Sequence, residues 1–102
     1  MTVITNDAQE SMVRDPAFDA LRALRGAYQS IFRTPGGMMV LDDLRPFCRA
    51  QASCFHSDPR VHAVLEGRRE VWLRIHEHIE IPIEEQYARL KEIQLAKTGG
   101  ST

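Results

Sequence analysis

The sequence has no apolar run long enough to cross a membrane, and it carries no large excess of charge of either sign. Its 102 residues include only two cysteines, and 13 basic residues against 14 acidic ones give a net charge of −1. A membrane-spanning helix needs roughly 18 consecutive apolar residues, and a dedicated nucleic-acid binder normally carries a basic excess. The sequence therefore disfavours both classes, and two cysteines are too few for a disulfide framework.

Signals for secretion and for catalysis are missing as well. The N-terminus lacks a basic region followed by an apolar stretch, so we expect Cys48 and Cys54 to be reduced thiols in a cytoplasmic protein. No phosphate loop, HExxH or nucleophile-elbow pattern occurs in the sequence. The adjacent acids at 42–43 and 84–85 diverge on a helix, so neither pair is suited to acid–base chemistry. We expect neither an enzyme nor a cofactor.

The residues that are present indicate an ordinary globular domain whose basic residues are mostly arginine. Hydrophobic residues make up 43% of the chain and charged residues 26%, which is typical of one folded domain. Eleven of the 13 basic residues are arginine. Because its planar guanidinium group binds carboxylates bidentately, arginine suits partly buried ion pairs and protein interfaces. This composition hints at contacts with other proteins.

Helix-start signals divide the chain into four predicted helices. Each of the pairs at 15–16, 34–35 and 58–59 combines an N-cap residue with a proline at the first helical position, and Pro82 interrupts the last apolar period. We predict an all-α domain over residues 15–97, a small bundle with helices at 16–33, 35–46, 58–80 and 82–97. Residues 1–14 have no sustained period and predict a flexible arm, or a segment that orders against a partner. Residues 98–102 form a tail.

The third predicted helix carries the longest apolar stripe and the only tryptophan. The stripe has helical spacing and consists of Val61, Val64, Leu65, Val71, Trp72, Ile75 and Ile79. We expect the other helices to pack on it in a compact core, with Phe55 entering that core from the preceding connector. Pro46 predicts that the regular part of the second helix ends near Arg45. His76 and His78 are expected at the surface.

Arg68 falls inside that stripe, where a guanidinium group cannot remain unpaired. The favoured interpretation is a structural ion pair with Asp43, with the arginine stem packed on Trp72. The alternative is that Arg68 and Arg69 form an exposed fork for a partner's carboxylate or for DNA phosphate. The neighbouring Gly67 predicts close approach of another backbone, either from the first helix or from a neighbouring subunit.

Two further groups of residues could bind something. Cys48, Cys54, His56 and His62 form a C-x5-C-x-H-x5-H series, which is a possible zinc set. Its spacing is not standard and Cys48 resembles a core residue, so no metal site is favoured. In the last helix, Ile83, Tyr87 and Leu90 form a narrow apolar stripe, which suits a helix lying on a surface or on a partner.

An ordered series of short motifs runs from the end of the first predicted helix to the end of the third. Its residues are Phe32, Thr34 and Gly37; Val40, Leu41, Asp43, Leu44 and Cys48; Phe55, Asp58 and Pro59; and Glu66, Gly67, Arg68, Arg69, Val71 and Ile75. The series, over about residues 28–79, resembles a family of small tailed-phage proteins named after a Bordetella podophage protein and typically encoded among head and packaging genes. Pro46 departs from this pattern.

The resemblance implies a phage particle or its assembly as the setting, and no catalytic residues. We therefore expect a non-catalytic structural or assembly protein, a virion component associated with the portal, tail or internal core. It would be present in the host cytoplasm during assembly and would contact other phage structural proteins in repeated copies. Contact residues would be Arg68, Arg69, Ile83, Tyr87 and Leu90. The alternative is a DNA-binding accessory of packaging or regulation, which the turn at 34–37 and the arginines permit.

Overall fold

The computed structural model describes residues 7–99 and is helical almost throughout. Its helices are α1 (Asp7–Arg14), α2 (Pro16–Phe32), α3 (Pro35–Phe47), α4 (Pro59–Glu80) and α5 (Ile83–Gly99). No strand occurs within the described residues. The predicted all-α class is confirmed, and the four predicted helices correspond to α2–α5, with ends that differ by at most two residues.

The starts of α2, α3 and α4 follow from local chemistry. The side-chain oxygens of Asp15, Thr34 and Asp58 each accept a hydrogen bond from a backbone amide two or three residues later, at 2.8–3.0 Å. These amides lie in the first turn of each helix, where no intrahelical carbonyl is available to them. The prolines that follow the caps need no such partner.

Within the arm predicted for residues 1–14, residues 7–14 form the helix α1. Asp7 and Glu10 lie in the first turn of α1 and Arg14 lies in the last, an arrangement that complements the helix dipole. The helix packs against α2, and the amide of Asp15 donates to the carbonyl oxygen of Met12 at 3.1 Å. Residues 1–6 of the arm and 100–102 of the tail lie outside the described residues.

The central helix is α2 rather than α4. It contacts each of the other four helices, whereas α4 chiefly contacts α2 and α3. The crossing of α2 and α3 depends on Gly37, which is buried. A Cβ atom at this position would lie 2.2 Å from the carbonyl oxygen of Ile31, so the two backbones can approach this closely only at glycine.

The helices form an open slab and not the compact bundle that the sequence predicts. The radius of gyration is 17.5 Å, compared with about 13 Å for a compact domain of about 100 residues. The principal dimensions are 52 × 46 × 21 Å, and the shortest corresponds to about two helix diameters. A slab of this thickness leaves a large share of each helix facing outward.

The core of the slab is small. Its buried hydrophobic residues are Phe18, Cys48, Cys54, Leu65, Trp72 and Ile79. Of the predicted α4 stripe, the three valines at positions 61, 64 and 71 are 38%, 52% and 59% exposed. Phe55, predicted to enter the core, is 75% exposed. Cys54 is buried instead, with its thiol 3.7 Å from the carbonyl oxygen of Leu65.

Candidate interaction surface

Three polar side chains of α2 hold the C-terminal end of α4. Arg25, Gln29 and Arg33 lie four residues apart and therefore on one side of α2. At 2.5, 3.1 and 2.7 Å respectively, they donate hydrogen bonds to the carbonyl oxygens of Ile81, His78 and Ile79. The last carbonyl groups of a helix have no intrahelical donor. The three side chains supply donors to this end of α4, and we call this region the polar junction.

His78, which the sequence places at the surface, lies inside the polar junction and is 1% exposed. Its ring stacks on Tyr28 with the centroids 4.5 Å apart, and Nδ1 lies 3.2 Å from Nε2 of the buried Gln86. Because Arg25 donates to Oε1 of Gln86 at 2.6 Å, the amide group turns its NH2 toward His78. Nδ1 is therefore the acceptor and Nε2 carries the ring proton.

Burial disfavours a charge on this histidine. The buried surroundings lower the pKa of His78 from its usual 6.5, and the positive charge of Arg74 adds to the effect. Its Nε2 atom has no hydrogen-bond partner among the described residues. The neutral imidazole is thus the form that the folded protein holds.

The sequence contained a signal for the polar junction that our sequence analysis missed. Arg25 follows the buried Phe18 by seven residues, so the two share one side of α2. This is the same kind of position that drew attention to Arg68, a guanidinium group within an apolar stripe. Such positions indicate a buried acceptor, and here the acceptors include the backbone at the end of α4.

The apolar stripe of α5, predicted to bind a partner, lies partly against α2. Tyr87 donates a hydrogen bond to Oδ2 of Asp15 at 2.7 Å, and its ring meets Phe18 edge-on with the centroids 5.9 Å apart. Ile83 and Leu90 are half-buried. The structure therefore uses Tyr87 for a contact within the chain.

Asp15 ties α5 to the start of α2. Besides capping α2, its carboxylate binds Lys91 Nζ at 2.5 Å. The hydrogen bonds from Lys91, Tyr87 and the amide of Ala17 hold the pKa of Asp15 at about 2, below its ordinary 3.8. The carboxylate is therefore ionised at neutral pH and can accept the hydrogen bonds of these three donors.

Three helices each expose two apolar side chains that lie seven residues apart. They are Leu24 and Ile31 on α2, Val40 and Phe47 on α3, and Val64 and Val71 on α4, with exposed fractions between 41% and 61%. Seven residues make nearly two full turns, so both members of each pair lie on the same side of their helix.

In two of these pairs a charged residue lies between the two apolar ones, and the two charges have opposite signs. On α3, Asp43 lies between Val40 and Phe47 (the α3 row). On α4, Arg68 lies between Val64 and Val71 (the α4 row). The guanidinium carbon of Arg68 lies 4.3 Å from the centre of the Phe47 ring. This cation–π contact joins the α3 row and the α4 row into one surface, which we call the paired rows.

The predicted ion pair between Asp43 and Arg68 is not formed among the described residues. Arg68 covers Phe47 instead, because a guanidinium group can stack on an aromatic face as well as bind a carboxylate. Arg69 turns away from Arg68 and donates to the carbonyl oxygen of Ala52 at 3.2 Å. The exposed fork of two arginines is therefore divided between two surfaces.

The four possible zinc ligands have other contacts. Cys48 and Cys54 are buried free thiols. His56 accepts a hydrogen bond from the amide of Asp58 at 3.0 Å, and Nδ1 of His62 lies 3.0 Å from the carbonyl oxygen of Cys54. Within residues 7–99, no three His, Cys, Asp or Glu side chains are placed to share a metal ion. No helix in this part of the chain is long and apolar enough to cross a membrane.

The comparison with protein families finds a match that covers most of the described helices. The family model described as "Bbp19-like phage protein" matches residues 28–92, which is more than half of the chain. No curated protein and no solved structure matches the sequence. The matched span contains both of the paired rows and most of α5.

Proposed function

The chain belongs to the Bbp19-like phage protein family, and from this premise we propose that it is a non-catalytic structural or assembly protein of a tailed-phage particle. It acts through contacts with other phage proteins. It is present in repeated copies as a component of the portal, the tail or the internal core, and it is found in the host cytoplasm while particles assemble.

The observation that carries this proposal is the exposed apolar surface of an open slab. The four apolar members of the paired rows are 48–59% exposed, in a chain whose radius of gyration is 17.5 Å. Exposed apolar side chains grouped on one surface are typical of a protein–protein contact. Among the residues predicted to bind a partner, Arg68 lies within this surface.

The use of the arginines supports protein contacts over DNA binding. Seven of the eleven bind or pair with oxygen atoms of the same chain: Arg25, Arg33, Arg45, Arg49, Arg69, Arg74 and Arg89. A phosphate-binding surface needs cations that remain available to the nucleic acid. Two of these arginines, Arg25 and Arg33, bind the end of α4 in part-buried contacts, so their guanidinium groups serve the fold itself.

Mass spectrometry of purified virions and of immature particles tests the proposal. We expect the protein in at least one of these particles, at a copy number that is a whole-number multiple of the portal or tail symmetry when counted against the major capsid protein. Absence from both particles, together with a purified protein that stays monomeric, would contradict the proposal.

A salt titration separates this function from that of a DNA-binding accessory. A protein that neutralises phosphates loses DNA affinity steeply as the salt concentration rises. We expect no measurable affinity for duplex DNA at physiological salt. Tight binding that weakens with a steep logarithmic slope would favour the accessory instead.

A further inference from the structure

We propose that a second copy of this chain binds to the paired rows, with Asp43 of each copy facing Arg68 of the other. The inference rests on the proposed function and deepens it, because it names the first partner of the exposed surface. Both rows lie on the same surface, so a two-fold axis can bring the α3 row of each copy against the α4 row of the other. In such an interface both copies make the same contacts.

Charge complementarity within the two rows supports a second copy as the occupant. Each row consists of two apolar side chains separated by two helical turns with one charge between them, and the charges are opposite. Among the described residues, neither Asp43 nor Arg68 forms an ion pair. Asp43 precedes Phe47, the residue that Arg68 covers, by one helical turn of about 5.4 Å, so the two opposite charges lie near each other on the paired rows.

The space beside Arg68 is also suitable. A Cβ atom placed on Gly67, next to Arg68, would meet nothing within 4 Å. No backbone of the described residues closes off this side of α4, so a second copy can approach the α4 row here.

Sedimentation equilibrium of the full chain, with two charge reversals, tests the inference. We expect the wild type to dimerise, and we expect Asp43→Arg and Arg68→Asp each to weaken the dimer by at least about 100-fold, because like charges would then face each other twice. An equimolar mixture of the two variants should restore a dimer, since every facing pair in it joins an aspartate to an arginine.

The restored dimer distinguishes contact between copies from contact within one chain, because mixing cannot repair a pair that forms inside a single copy. Glu66→Arg is the matched control. Glu66 is exposed and, two residues before Arg68, lies on the opposite side of α4, so its reversal should leave dimerisation unchanged. Circular dichroism of each variant verifies that its helices are intact.

Three results would overturn the inference: a monomeric wild type, a dimer that tolerates both reversals, or folded variants whose mixture stays monomeric. None of them decides the proposed function. A monomer found in phage particles would end the inference and leave the proposed function in place. A dimer that is absent from mature and immature particles, and that binds no other phage protein, would contradict the proposed function and leave the inference in place.

Discussion

At the C-terminal end of α4, His78 and the neighbouring Gln86 are buried, whereas valines earlier in the same helix are exposed. His78 is 1% exposed and Val71 is 59% exposed, although both belong to the same helix. The polar side chains gather at the polar junction because a helix end offers carbonyl groups that need donors. The paired rows are exposed because no other element of the slab covers them.

This difference shows that, in a thin slab, the partners available to a side chain decide whether it is buried more than its polarity does. A buried donor is favourable where it finds an acceptor and costly where it does not. An exposed valine costs the monomer little, and it provides apolar area that an interface can remove from water. The polar junction thus stabilises the fold, and the paired rows are the surface that we propose for assembly.

The largest effect on stability is expected at the crossing of α2 and α3, which supports both regions. Gly37→Ala places a methyl group 2.2 Å from a backbone oxygen, so a helix must shift, and we expect a loss of about 3 kcal/mol in the free energy of unfolding. Urea denaturation measures this loss. The adjacent Gly36→Ala is the control, because a Cβ there meets nothing within 4 Å. Equal stability of the two variants would show that the crossing is not tight.

In the polar junction, Arg25→Met removes donors from the Ile81 carbonyl and from Gln86. We expect a loss of about 2 kcal/mol, because a buried acceptor is left unpaired. Arg22→Met, on an exposed side of the same helix, should change the stability by no more than about 0.5 kcal/mol. Similar urea midpoints for both variants would refute the buried junction.

The histidine of the polar junction should make stability depend on pH. The pKa of His78 is lowered from 6.5 in the folded state, so the unfolded chain binds a proton first as the pH falls. The contribution of His78 to stability is therefore present above pH 6.5 and is lost as the pH drops below it. We expect a lower Tm at pH 5.5 than at pH 7.5, and a smaller difference in His78→Gln. The exposed His76 provides the control, since His76→Gln should keep the full dependence.

The smallest effect is expected in the paired rows. Val64→Ser should change the stability of the monomer, measured at low protein concentration, by no more than about 0.5 kcal/mol because its side chain is already half exposed. The next residue, Leu65, is 6% exposed, and Leu65→Ala should cost about 3 kcal/mol. A large loss in Val64→Ser would mean that the α4 row is covered within the monomer.

The features that sequence reasoning predicted are local ones. The starts of α2, α3 and α4 depend on a cap residue and the proline beside it, which are neighbours in the chain. The positions of Phe55 and His78 could not be predicted in this way. A helical period reports which residues share a side, but it does not report which side another helix covers.

The sequence by itself determined the four helices α2–α5, because capping and apolar spacing act over a few residues. It also carried the series of motifs that places the chain in its family. Only the tertiary structure decided that Arg25, Gln29 and Arg33 bind the end of α4 and that Val40, Phe47, Val64 and Val71 face outward. The physical reason is that these outcomes depend on α2 crossing the other four helices in a slab 21 Å thick, an arrangement made by contacts between distant parts of the chain.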